Sequence, residues 1–285
     1  MKKASISQNL LLLSFSCMLI FTACKKDVLP DGTVVPPPPP PPPAGSGITM
    51  NLKAVYEGAG NSVDGYYVGL PSNYDQTTDK LPILIYIPGA GQFGNGAVDL
   101  PLLLKDGPIQ LVDEKKFPGT FTVGGKTFSM IVFQPQLKWY PSTFSIDGIV
   151  EYVKQKFRID TNRIYLSGLS MGGSLTCDLG GEKPNKLAAI VPMAGVSIDY
   201  ATSNKCQMIA TNNLPVWAFH SADDQQFAVT KVNEFVVKVN SFNPTIKAKV
   251  TVWPNGGHDS WTRALNPDYK ENGMNMYEWM LQYHR

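Results

Sequence analysis

Apolar residues in this chain occur in two alternating patterns. Leu81-Pro82-Ile83-Leu84-Ile85-Tyr86-Ile87 is a short, almost continuous apolar run that stops at Pro88-Gly89. Runs of this length closed by turn residues predict strands buried on both faces. Phe128–Phe133, Arg163–Leu166, Leu187–Val191, Leu214–Phe219 and Ala248–Trp253 read the same way. Between them the period changes. Ile146, Ile149, Val150, Val153 and Phe157 recur at i, i+3, i+4, i+7 and i+11, which places them on one face of a helix. Further helices are expected after Ser170, over Phe227 to Val239, and over Asn275 to Tyr283. Strands alternating with helices predict an α/β fold, a mainly parallel sheet with helices on both faces. Val63 to Leu70 fits an antiparallel edge strand. The connection from Gly195 to Asn213 is too short for a large lid domain.

The first 47 residues follow neither pattern. Lys2 and Lys3 precede the apolar stretch Leu10 to Phe21, which ends at Thr22-Ala23-Cys24. A basic start, a dozen apolar residues and a small residue before the cut are expected of an export signal, residues 1–23. The stretch is shorter than the ~20 residues of a spanning helix, and Ser14 and Ser16 interrupt it. Phe21-Thr22-Ala23-Cys24 resembles a bacterial lipobox, although Phe21 stands where Leu is usual. That resemblance implies acylation of Cys24 and attachment to the outer membrane of a bacterial envelope, facing either side of it. Residues 24–47 then form a tether. Its eight prolines, Pro36 to Pro43, favour an extended polyproline II rod. Residues 48–285 read as one folded domain.

The charge balance narrows the partners. Of 285 residues, 25 are Lys or Arg and 23 are Asp or Glu. Without Lys2 and Lys3 the balance is even, and no basic run marks a nucleic-acid surface. The membrane is expected to be met through the lipid anchor alone. Only three histidines occur, His220, His258 and His284. None has a second His or Cys at metal-ligand spacing, so neither a metal nor another cofactor is expected.

Gly168-Leu169-Ser170-Met171-Gly172 carries the chemistry. It is a G-x-S-x-G pattern between a predicted strand and a predicted helix. A serine on such a tight turn sits at strained backbone angles, and its flanking positions have little room for side chains. The helix start then offers free N–H groups to a developing oxyanion. A serine hydroxyl needs a base, and the base an orienting acid, in the order Ser, Asp or Glu, His. His258 follows Gly256-Gly257 in a loop preceded by acidic residues, and it is the preferred base over His220. Asp223 and Asp224, directly after the strand Leu214–Phe219, are the best placed acids, and Asp199 is another candidate.

Three blocks together resemble the α/β-hydrolase superfamily and, within it, the single-domain secreted esterases. These include feruloyl and acetyl-xylan esterases, polyhydroxybutyrate depolymerases and phospholipase/carboxylesterases. The blocks are Arg163 to Gly173, Pro215 to Asp224, and Gly257-His258-Asp259-Ser260-Trp261. The family's His-Gly-x-x-Asp pattern maps onto His220 to Asp224, with Ser221 in place of glycine. The resemblance therefore implies Asp224 as the acid and His220 as a structural residue. It also implies an oxyanion hole from the N–H groups of Met171 and Ala90, the latter in a loop where Pro88-Gly89 replaces the usual His-Gly. Family members often set aromatic residues near the nucleophile, which makes Trp139, Tyr140 and Trp261 the candidate substrate wall.

Export also implies an oxidising compartment, where Cys177 and Cys206 are expected to form a disulfide. The expected activity is hydrolysis of a small ester or an esterified glycan by Ser170, His258 and Asp224, with acyl or feruloyl groups on plant polysaccharide as the substrate class. The alternatives are a non-catalytic relative that binds envelope glycan, and a serine peptidase.

Overall fold

A computed structural model of the chain describes residues 47–196 and 204–285. The export segment, Cys24, the proline tether and Asp199 lie outside the described residues. The chain divides into units Met1–Pro41 and Pro42–Arg285, and the description concerns the second.

Eight strands form one sheet. These are β1 (Met50–Val55), β2 (Val63–Pro71), β3 (Leu81–Ile87), β6 (Ile131–Leu137), β7 (Ile159–Leu169), β8 (Ala189–Met193), β9 (Trp217–Ser221) and β10 (Lys249–Trp253). Their spatial order is β1-β2-β6-β3-β7-β8-β9-β10. The pairs β1/β2 and β2/β6 are antiparallel, and all later neighbours run parallel. A separate hairpin joins β4 (Phe121–Val123) to β5 (Lys126–Phe128). The helices are α1 (Pro108–Asp113), α2 (Thr143–Lys156), α3 (Met171–Glu182), α4 (Asn204–Thr211), α5 (Val229–Ser241), α6 (Trp261–Leu265) and α7 (Met276–Leu281). No lid domain stands among the described residues.

The near-continuous apolar runs are explained by two cores, one on each face of the sheet. Side chains alternate along a strand. In β3, Ile83, Ile85 and Ile87 join the cluster that includes Ile149 of α2, Leu175 of α3 and Phe235 of α5. Leu84 and Tyr86 join the other cluster, with Ile109 of α1, Leu265 of α6 and Met280 of α7. β9 divides likewise, Ala218 to the first and Trp217 and Phe219 to the second.

Three sequence expectations change. Val63–Pro71 is not the edge, because β1 pairs outside it in register from Met50↔Pro71 to Val55↔Tyr66. Only one residue of β1 is fully buried, so its apolar pattern is too weak to announce a strand. The run Phe128–Phe133 is two strands. Its first residue closes the hairpin opposite Phe121, and β6 starts at Ile131. Cys177 on α3 and Cys206 on α4 are not disulfide-linked. Both are buried in the same apolar cluster. Burial pushes the Cys177 thiol well above its ordinary range and Cys206 to about 11, which suppresses the thiolate needed to form the bond.

Candidate active site

The site forms where three parallel strands end. β7 runs into Ser170, which has φ 53° and ψ −117° and serves as the N-cap of α3. A non-glycine residue in such a region costs about 1–3 kcal/mol, so packing must hold it there. Two close approaches do so. A Cβ added to Gly172 would lie 2.0 Å from the Ile87 carbonyl oxygen, and one on Gly195 would lie 1.8 Å from that of Ser170. The ends of β3 and β8 therefore press on the turn from either side. The Ser170 N–H donates to the Met193 carbonyl at 2.8 Å, and Ser174 N–H donates to the Ser170 carbonyl at 3.1 Å.

A hydrogen-bond chain leads away from the serine hydroxyl. Ser170 Oγ donates to His258 Nε2 at 2.9 Å. His258 Nδ1–H donates to Asp224 Oδ2, also at 2.9 Å. The other carboxylate oxygen, Oδ1, accepts from the N–H groups of Gln226 at 2.8 Å and Phe227 at 3.0 Å. Burial alone would push the Asp224 carboxyl up, but the bonds from His258, Phe227 and Gln226 hold it below the ordinary carboxylate range. Asp224 thus stays ionised beside the imidazole. A hydroxyl, an imidazole and a buried carboxylate in this order can pass the hydroxyl proton to the imidazole as the oxygen attacks an electrophile.

Neighbouring residues fix the relay. Asp223 does not face the imidazole. Its Oδ1 accepts from Gly257 N–H at 2.8 Å and its Oδ2 from Gly256 N–H at 3.4 Å, which ties down the loop carrying His258. His220 is buried and donates from Nε2 to the Phe227 carbonyl at 2.8 Å, with Asp224 Oδ2 at 3.2 Å. Burial lowers its pKa, and the nearby Phe227 carbonyl and Asp224 only partly offset this, so it remains neutral. The Phe227 ring lies parallel to the His258 imidazole at 9°, with ring centres 5.6 Å apart. Phe227 carries no motif in the sequence; only the folded loop brings it to the imidazole.

The two expected oxyanion donors lie at the start of α3 and in the loop after β3. Met171 is the first residue of α3, where an N–H has no intrahelical acceptor. Ala90 opens a 3-10 turn, Ala90–Gln92, directly after β3. Neither N–H has a hydrogen-bond partner among the described residues.

The predicted aromatic wall divides. The Trp261 ring meets His258 edge-on at 5.3 Å, and its indole N–H donates to Asp106 Oδ1 at 2.9 Å. Trp139 and Tyr140 are 51% and 57% exposed on the loop after β6, and the ring contacts of His258 are with Phe227 and Trp261 instead. A separate cavity of about 480 Å³, lined by Tyr66, Tyr74, Phe157 and Arg158 among others, borders none of Ser170, Asp224 and His258.

The phospholipase/carboxylesterase family model matches residues 142–270, just under half of the chain. The chain is 31% identical over 91 residues to a bifunctional acetylxylan esterase/xylanase of Neocallimastix patriciarum, covering 32% of this chain and 13% of that protein. It is 36% identical over 67 residues to acyl-protein thioesterase 1 homolog 2 of Dictyostelium discoideum, covering 24% of this chain and 30% of that protein. The matches therefore span less than a third of either relative. A thermostable esterase of known structure superposes on 83% of this chain and 63% of its own, with a TM-score of 0.58 and 21% identity. The fold is the α/β-hydrolase fold. Within it, Ser170 stands at the strand-to-helix turn, Asp224 after β9 and His258 after β10.

His220 gives a test of the buried polar network. Its folded pKa lies below its ordinary value, so the unfolded chain takes up a proton that the folded protein does not. The stability it contributes is present above about pH 6.5 and is lost as pH falls below that. His220→Gln keeps a donor for the Phe227 carbonyl and is expected to flatten the fall in Tm between pH 6.5 and 5. Thermal melts across that range check this, and an unchanged slope contradicts it.

Proposed function

We propose that the protein is a serine carboxylesterase in which Ser170 is the nucleophile, His258 the general base and Asp224 the orienting acid. The unbroken hydrogen-bond chain from Ser170 Oγ through His258 to Asp224 carries this reading. In the first step Ser170 Oγ attacks the ester carbonyl carbon, and His258 Nε2 takes the hydroxyl proton. The charge on the former carbonyl oxygen is met by the Met171 and Ala90 N–H groups, and Asp224 balances the imidazolium. His258 returns the proton to the leaving alcohol as the ester C–O bond breaks. Water, deprotonated by His258, then attacks the acyl-serine, and the acid departs with Ser170 restored.

Acyl esters on plant polysaccharide are the proposed substrate class. The similarity to an acetylxylan esterase supports it, as do the aromatic rings of Trp261, Trp139 and Tyr140 as surfaces for a sugar face. Residues 1–23 are proposed to be removed on export, leaving lipidated Cys24 and the tether 24–47 to hold the catalytic domain 48–285 at the bacterial outer membrane. Acyl chains anchor because each buried methylene adds about 0.8 kcal/mol. Cys24→Ala is expected to move the protein from the membrane to the soluble fraction; a variant that still sediments with membranes contradicts the anchor.

The catalytic assignment has a kinetic test. Turnover of p-nitrophenyl acetate is expected to be lost in Ser170→Ala. In Asp224→Asn kcat is expected to fall roughly 10⁴-fold, because the amide stabilises the wrong imidazole tautomer. Equal turnover in wild type and Ser170→Ala overturns the nucleophile.

A further inference from the structure

Three glutamine side chains are buried around the loop that follows β3. Gln92 is 4% exposed, and Gln134 and Gln136 are fully buried. A buried amide is costly unless its bonds are made; those of Gln92, Gln136 and Gln134 Nε2 converge on one loop, while Gln134 Oε1 has no hydrogen-bond partner among the described residues. Gln92 Oε1 accepts from Gly89 N–H at 3.3 Å. Gln92 Nε2 donates to the Leu102 and Asp106 carbonyls, both at 3.2 Å. Gln136 Nε2 donates to the Gln92 carbonyl at 3.3 Å and to that of Asp99 at 2.7 Å, while its Oε1 accepts from Gly96 N–H at 2.8 Å. Gln134 Nε2 donates to the Asp106 carbonyl at 3.0 Å.

The consequence lies in two adjacent backbone amides. Gly89 N–H is held by Gln92, in extended backbone at φ −78° and ψ 168°. The turn then closes through Gln92 N–H to the Gly89 carbonyl at 3.1 Å. The next amide, Ala90 N–H, has no acceptor among the described residues. Strand β3 ends at Ile87, and the next residue, Pro88, has a ring that leaves no N–H to help fix the loop. Gln92 supplies that fixing from the side.

We propose that Gln92, braced by Gln136, is the positioning residue that holds the Ala90 N–H ready for the oxyanion; the proposal rests on the esterase reading above. Only an amide of this length fits the place. It must accept at one oxygen from Gly89 and donate from its nitrogen to two carbonyls. A glutamate would turn a charged oxygen toward those carbonyls, and a leucine would take the acceptor from Gly89 N–H and one donor from each carbonyl, leaving Asp106 only Gln134. The same network reaches the opposite wall, since Asp106, held through its carbonyl by Gln92 and Gln134, accepts the Trp261 indole N–H beside His258.

Oxyanion donors act because they are fixed before the charge develops, and complete loss of one costs about 10²–10³ in kcat. A displaced donor costs less. Gln92→Leu is expected to lower kcat for p-nitrophenyl acetate by about 10- to 100-fold, with KM within about twofold. An alkyl trifluoromethyl ketone, whose serine adduct carries the oxyanion, is expected to lose affinity by the same factor. An alkyl methyl carbinol, which forms no adduct, is expected to bind unchanged. In the wild-type protein, amide exchange followed by NMR covers the case in which the variant fails to fold. Gly89 N–H is expected to exchange slowly and Ala90 N–H fast, with Ala90 slowing at least about tenfold in the ketone adduct. A folded Gln92→Leu with kcat within about twofold of wild type overturns the proposal, as does a kcat loss without matching loss of ketone affinity. So does a Gly89 amide that exchanges as fast as Ala90. Wild-type protein that neither turns over the ester nor binds the ketone overturns the esterase reading as well, so the two failures are told apart.

Discussion

The crowding of backbone around Ser170 is the constraint on which the rest of this structure depends. The serine occupies a conformation that costs about 1–3 kcal/mol, and its own hydrogen bonds do not account for its staying there. The neighbouring strands and helix do. Leu166, Leu169 and Leu175 are buried on either side of the turn, and each such side chain contributes roughly 1.5–3 kcal/mol by leaving water. Relaxing the turn would pull α3 from the ends of β3 and β8 and expose that surface. The strain is thus small beside the packing that enforces it. The same close contact fixes where the serine oxygen, the first N–H of α3 and the loop after β3 lie.

A second constraint is the buried charge of Asp224. A carboxylate out of water needs several donors, and here two backbone N–H groups and an imidazole supply them, with a second, neutral histidine close by. Every one of these partners also orients something else. The Phe227 and Gln226 amides shape the acid loop, and Phe227 lays its ring along His258. Asp223, one residue earlier, holds the glycines before His258. Two adjacent acids therefore divide the work, one facing the imidazole and one securing its loop.

Much of this was legible in the sequence because it was local. The strand runs needed only short windows, and both faces of β3 are buried, as a continuous apolar run implies. Ser170 was marked by five consecutive residues, and His258 by its place after the last strand. Composition and spacing alone left Asp223 and Asp224 open; family resemblance favoured Asp224, and in the structure it is Asp224 that bonds to the imidazole. What could not be read was long-range or weakly patterned. β1 has only Met50 buried. Gln92 looks like an ordinary polar loop residue until Asp106 folds back onto it. Trp261 and Asp106 meet across 155 residues. The expected disulfide was read from the oxidising compartment that export implies, and a compartment says nothing of the apolar core in which both cysteines lie.

The central claim is that the Ser170 hydroxyl is activated where it stands. The most direct measurement is peptide mapping by mass spectrometry after brief exposure of the folded protein to an alkyl fluorophosphonate, beside the same protein unfolded in urea. An activated serine displaces fluoride and keeps the phosphonyl group, whereas an ordinary serine does not react on that timescale. One adduct per chain, on the peptide that contains Ser170 and only in the folded protein, is the expected result. No adduct, or an adduct on another serine, would contradict the account.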